Sequence, residues 1–250
     1  MRLLTLEEAA ASLRVGEAVV MPTDTVCGVG VAVGAAESPA PLFRAKRRPA
    51  DKPVAWLVGS VGDLSRYGRS VPDYARVLAE AFWPGALTLV VSASDEVPAA
   101  FQSAAGTIGL RMPACEDTLA LIAAAASPLA VTSANFSGAP APLAVRDVDE
   151  AFVARTAGVF GGVRPCPVRQ CPGGVSHLPG DPLCEAPHDL SKHETPLRGT
   201  VSPSAAGNGT KTPATGALPL PSTVLDCTGS APRLLREGAL GWETLKGALS

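Results

Sequence analysis

Residues 130–140 read A-V-T-S-A-N-F-S-G-A-P. An apolar run, Pro128-Leu129-Ala130-Val131, stops abruptly in Thr132, Ser133, Asn135 and Ser137, with Gly138 and Pro140 close behind. A buried strand that ends in hydroxyls and an amide offers short hydrogen-bonding groups at the carboxyl end of a sheet. Open α/β sheets bind their ligands at that edge. Two other stretches supply what this edge lacks. One is a second polar strand end, P-T-D-T-V-C-G at residues 22–28. The other is positive charge at residues 46–52.

Working outward, Thr5 and Glu8 have the spacing of a capping box, and Leu6, Ala9, Ala10 and Leu13 share one helical face up to Gly16. Ala18-Val19-Val20-Met21 reads as a buried strand ended by Pro22. Val54-Ala55-Trp56-Leu57-Val58 and Leu87-Thr88-Leu89-Val90-Val91 read as strands, as do residues 107–111, 158–160 and 222–226, with 233–236 following. Helical patterns cover 73–82, 115–126, 145–156 and 242–249. Strands and helices alternate, which predicts an α/β layered domain. Between residues 161 and 221 Pro, Gly, Ser and Thr dominate and no apolar period survives. We expect a single domain over 1–250 carrying a long irregular insertion there, too polar to build its own core.

Composition narrows the class. A hydrophobic fraction of 46% among 250 residues permits a sizeable core. A net charge of −2 argues against a protein that grips nucleic acid by bulk electrostatics, although local basic patches leave weak RNA binding open. The longest apolar run, 119–131, is broken by Ser127 and Pro128 and is too short to span a bilayer. Glu7 and Glu8 stand where a signal peptide needs an apolar core, so a cytoplasmic protein with no membrane partner is expected.

Each motif alone has an ordinary reading. Lys46, Arg47, Arg48 and Lys52 make either a solvated loop or an anion clamp stiffened by Pro49 and Pro53. Asp24 between two threonines suits a turn. Arg111 at a strand end suits a structural role. Neither G-x-x-x-x-G-K-[ST] nor G-x-G-x-x-G is present. The insertion holds Cys166, Cys171, Cys184, His177, His188 and His193, but prolines crowd it and nothing apolar backs these groups, so no metal site is assigned.

Their order is more telling. P-T-D-T-V-C-G, K-R-R-P-A-D-K-P, W-P-G-A-L-T-L-V, G-L-R-M-P, T-S-A-N-F-S-G and P-S-T-V-L-D with R-L-L-R-E-G follow one another along the chain. The set resembles the YrdC-type family of L-threonylcarbamoyl-AMP synthases. That resemblance implies a twisted mixed α/β sheet flanked by helices, with a positively lined central cavity. It implies condensation of L-threonine, bicarbonate and ATP, with Mg²⁺ riding on the phosphates, and a separate transferase complex that passes the product to tRNA. By motif position Lys46, Arg48 and Lys52 are implied as the catalytic phosphate ligands. Arg48, Lys52, Thr107, Ser133, Asn135, Ala141 and Arg236 are implied as ATP contacts. Thr25, Arg111, Val131 and Ser222 are implied as the threonine pocket, with Arg111 on the carboxylate. Three positions depart from the family pattern: Cys27 replaces a common Tyr, Leu57 a frequent His, and Ala86 a usual Pro.

Two other classes compete. An RNA-binding module of the same fold calls for aromatic stacking groups, and only 4% of this chain is aromatic. A carbamoyl-transfer domain of hydrogenase-maturation type comes with further domains that 250 residues do not hold.

Overall fold

The first helix begins where the capping box puts it. Helix α1 (Leu6–Arg14) follows a two-residue strand β1 (Leu3–Leu4). Glu8 N–H donates to Thr5 Oγ1 at 3.2 Å, and Thr5 N–H donates back to the Glu8 carboxylate at 2.9 Å. Two helix-start donors are thereby satisfied. The computed structural model describes residues 1–47, 54–161 and 220–249, all within one compact unit. The 162–219 part of the expected insertion, with its cysteines and histidines, lies outside the described residues, as do Arg48 and Lys52.

Strands β2 (Val19–Met21) and β3 (Gly28–Ala32) form a hairpin across the P-T-D-T turn, and α2 (Ala40–Lys46) follows. Next come β4 (Ala55–Leu57), α3 (Asp63–Tyr67), α4 (Asp73–Phe82), β5 (Leu87–Ser92) and β6 (Thr107–Arg111). The chain continues through α5 (Glu116–Ala125), β7 (Leu129–Ser133), α6 (Glu150–Val153) and β8 (Gly158–Phe160). After the undescribed segment it ends in β9 (Thr223–Asp226), β10 (Arg233–Arg236) and α7 (Trp242–Gly247).

One expected helix is broken. Residues 145–156 form a 3₁₀ turn, Val145–Asp147, and then only the short α6. Asp147 accepts from Ala144 N–H at 3.2 Å and Asp149 from Ala151 N–H at 2.7 Å. Each carboxylate takes a backbone donor and restarts the chain locally.

The ten strands make one mixed sheet in the order β1-β8-β2-β3-β7-β4-β6-β5-β9-β10. Pairs β1–β8, β2–β8, β4–β6 and β5–β9 run parallel, and the other five run antiparallel. One face carries the larger core, including Val29, Val31, Trp56, Leu89, Ile108, Leu110 and Leu225. Trp56 stands at its centre, edge-on to Tyr67 at 5.3 Å and Phe101 at 5.8 Å. On the opposite face Met21, Ala32, Leu57 and Leu129 pack with Leu13 of α1 and Leu121 of α5.

The remainder of that second face is different. Strand to strand, Gly30, Val131, Ala55, Gly109, Val90 and Asp226 stand side by side across β3, β7, β4, β6, β5 and β9. All but Gly30 are only half-buried. A row of small side chains on a pleated surface leaves a shallow trough rather than a packed interface. Close fitting within the sheet requires glycine at one end of the row: a Cβ on Gly30 would lie 2.8 Å from Val131 Cγ2 and 2.9 Å from Met21 Cε. Among the described residues no helix is long and apolar enough to cross a membrane.

Two stability effects follow. Thr5→Ala should lower unfolding free energy by about 1 kcal/mol in urea titration. Gly68→Ala should lower it further, because its Cβ would meet the Leu64 carbonyl at 2.6 Å, an atom held by backbone. Equal midpoints for Gly68→Ala and wild type would contradict this packing.

Candidate active site

Helix α2 delivers Lys46 to the end of β7. Its side chain is buried, and Nζ donates to the Ser133 carbonyl at 2.5 Å and the Asn135 carbonyl at 2.8 Å. Ser133 Oγ and Asn135 Oδ1 lie at 3.3 and 3.2 Å. Among the described residues four oxygens thus surround a group that has three hydrogens. The Asn135 amide donates to the Phe136 and Ala139 carbonyls at 3.0 and 2.6 Å. Ser137 N–H donates to the Lys46 carbonyl, and Cys27 N–H to that of Pro142, next to Ala141. The T-S-A-N-F-S-G loop is therefore pinned from both sides. At its rim the Arg47 guanidinium lies over the Phe136 ring, 5.2 Å from the centroid. Lys46 organises the loop that carries Ser133 and Asn135.

A second cluster forms around Arg111 at the end of β6. Nε donates to the Gly85 carbonyl at 2.9 Å, Nη1 to Thr25 Oγ1 at 3.0 Å, and Nη2 to Asp24 Oδ1 at 2.5 Å. The Arg111 and Asp24 side chains are 7% and 4% exposed, so this is a buried ion pair. Asp24 Oδ2 has no hydrogen-bond partner among the described residues. Thr23 Oγ1 donates to the Val26 carbonyl at 2.7 Å and lies 3.1 Å from Thr25 Oγ1, which stiffens the turn.

The third cluster joins β9 to β10. Arg236 donates through Nη2 to the Ser222 carbonyl at 2.8 Å, with Ser222 Oγ at 3.3 Å. Ser222 Oγ meets Thr88 Oγ1 at 2.9 Å. Burial first, and the nearby charge of Arg111 second, push the Arg236 guanidinium below the ordinary arginine range. Two guanidiniums, Arg111 and Arg236, thus lie within electrostatic reach of each other, with Asp24 bonded to the first. Such an arrangement favours an incoming anion.

Thr107 and Val131 sit on the half-buried face with Gly109 and Ala55. Thr107 shares a strand face with Arg111 but stands roughly 13 Å along β6 from it, and its hydroxyl bonds Ser103 Oγ at 2.7 Å. The expected residues therefore fall into a loop clasp, an arginine cluster and a β9–β10 cluster, with Thr107 and Val131 on the trough. Sequence reasoning overlooked Asp24, Gly85 and Thr88. Asp24 carried the only available signal, a carboxylate between two threonines at a buried strand end. The three family departures, Cys27, Leu57 and Ala86, are all buried. Burial, and then the charge of Asp147, push the Cys27 thiol up to about 11.

Residues 11–175 match the sequence model of the Sua5/YciO/YrdC family, which is described as telomere recombination. A threonylcarbamoyl-AMP synthase of Pyrococcus abyssi is 38% identical over 154 residues, 62% of this chain and 45% of that protein. A putative threonylcarbamoyl-AMP synthase of Mycobacterium tuberculosis is 43% identical over 135 residues, 54% of this chain and 62% of that protein. The chain spans about half the length of these relatives. The crystal structure of P. abyssi Sua5 complexed with L-threonine superposes with a TM-score of 0.74 at 27% identity, covering 100% of this chain and 61% of that one.

Lys46→Met keeps the stem and removes the ammonium, so the Asn135 carbonyl loses its lysine donor and the Ser133 carbonyl keeps only the Asn135 N–H. It should destabilise by about 1–3 kcal/mol in denaturant titration. The Cys27 thiol, raised from 9.0 to about 11, favours the folded state below pH 9, and that contribution fades as pH climbs toward 11. At pH 8 iodoacetamide should therefore label Cys27 in urea but not in the folded protein. Peptide mass mapping reads this, and native labelling at a free-thiol rate would refute it.

Proposed function

Because the chain belongs to the Sua5/YciO/YrdC family, we propose that it is an L-threonylcarbamoyladenylate synthase, which condenses L-threonine, bicarbonate and ATP. The observation that carries this reading is the buried Arg111–Thr25–Asp24 cluster beside Arg236. It joins a rigid guanidinium, a hydroxyl and a carboxylate, with a second guanidinium within electrostatic reach. The names of the relatives and the threonine held by P. abyssi Sua5 support it.

The chemistry needs few proton carriers. Threonine's ammonium and bicarbonate give the carbamate, one water and one proton. A carbamate oxygen then attacks the α-phosphate of ATP, forming the O–P bond as pyrophosphate leaves. Placement and charge stabilisation dominate in transfers of this type. Arg111 takes the threonine carboxylate. Ser133 and Asn135, clasped by Lys46, and Thr107 and Arg236 serve the nucleotide, with Arg48 and Lys52 on the phosphates by family resemblance. ATP enters as its magnesium complex, the metal carried by phosphate and water. The mixed anhydride then serves a separate transferase that modifies tRNA adenosine beside the anticodon, in the cytoplasm.

Pyrophosphate release from ATP, with threonine and bicarbonate omitted in turn, tests the reading. Release should require both, and release indifferent to threonine would defeat the assignment. Arg48→Ala should fold normally and lose about ten- to a hundredfold in activity, the worth of a charge-assisted phosphate contact. Arg111→Ala leaves Asp24 as an unpaired buried charge and should destabilise by about 3–5 kcal/mol. Arg111→Lys is the better probe. It keeps the charge and loses the fork, so KM for threonine should rise at least about tenfold while KM for ATP stays nearly unchanged.

A further inference from the structure

One oxygen of the site has no function in the scheme above. Asp24 is 4% exposed, its Oδ1 is bonded to Arg111 Nη2, and its Oδ2 is shielded from solvent with no partner among the described residues. An unpaired oxygen on a buried carboxylate is unfavourable, so a donor belongs there.

The neighbouring hydroxyls do not supply it. Thr23 gives its hydrogen to the Val26 carbonyl. The contact between Thr23 Oγ1 and Thr25 Oγ1 then requires Thr25 to be the donor, while Thr25 Oγ1 accepts from Arg111. Both hydroxyl hydrogens are committed. Arg111 has five N–H groups, of which one each on Nε, Nη1 and Nη2 is used by Gly85, Thr25 and Asp24. One N–H on Nη1 and one on Nη2 remain without a partner among the described residues. The pair therefore offers two donors and one acceptor within one ion-paired unit, the group types that the carboxylate and ammonium of a free α-amino acid need.

We propose that Asp24 Oδ2 receives the α-amino group of the amino-acid substrate, and that Asp24 thereby selects an α-amino acid over an acid lacking the amine. This rests on the synthase reading. The contact survives the chemistry. The ammonium begins with three N–H bonds, and the carbamate nitrogen keeps one, which still donates to Oδ2. Of the two protons released, one leaves in the water formed from bicarbonate and the other passes to solvent, so neither is transferred to Asp24. Because Oδ2 is closed off from bulk solvent, residues 22–27 must shift to admit the amine.

Binding of L-threonine and of (R)-3-hydroxybutanoate, the same skeleton without the amine, is measured by calorimetry on wild type and Asp24→Asn. Wild type should prefer threonine by about ten- to a hundredfold, the range of one charge-assisted hydrogen bond. Asp24→Asn, nearly isosteric, should lose most of that preference, with threonine binding weakened far more than (R)-3-hydroxybutanoate binding. Equal weakening of both ligands would overturn the proposal, since Asp24 would then act only by holding Arg111. Unchanged threonine binding in the variant would overturn it as well. Wild type that binds neither ligand would defeat the amino-acid reading itself, and this inference with it. Should Asp24→Asn melt below the assay temperature, Asp24→Glu takes its place. It retains the charge and should keep at least a threefold preference for threonine, whose absence would also count against the proposal.

Discussion

A guanidinium held by a carboxylate, a hydroxyl and a carbonyl fixes the centre of this molecule. Arg111 ends β6, Asp24 and Thr25 lie in the turn between β2 and β3, and Gly85 leads into β5. In the sheet, β2 and β6 are separated by β3, β7 and β4. The side chain therefore ties together segments that no backbone ladder joins directly. A buried charge pair is a poor source of net stability. Its value here lies in orientation: three partners hold the plane of the guanidinium.

Lys46 does for the loop after β7 what Asp24 does for Arg111. Its ammonium gathers the carbonyls of Ser133 and Asn135 and holds a loop rich in Gly, Ser and Pro to one shape. A lysine immobilised in this way is a loop organiser. Between the two clasps runs the small-residue trough of Val131, Ala55 and Gly109. Larger side chains there would fill the space between Thr107 and Arg111.

Local pattern made most of the strands legible. Val19–Met21, Leu87–Ser92, Thr107–Arg111, Leu129–Ser133 and Thr223–Asp226 are apolar runs bounded by Gly, Pro or polar clusters, and hydrophobic burial makes such runs into strands. Helices α2 and α3, with seven and five residues, were not anticipated because so few turns cannot display a 3.6-residue period. The helix expected over 145–156 failed because two aspartates compete for backbone donors, an effect that periodicity does not register.

The sequence by itself determined an α/β layered domain, the residue types of the site and, through the order of its motifs, the family. Those properties reside in local apolar runs and in short motifs, which survive without knowledge of the neighbours. Only the tertiary structure decided which groups meet. Asp24 reaches Arg111 across 87 positions, and Lys46 reaches Ser133 across a further 87. Such pairings depend on strand order, register and the length of each side chain, none of which is written within a single stretch. A turn aspartate therefore became the counter-ion of the central arginine, and Lys46 the clasp of the loop.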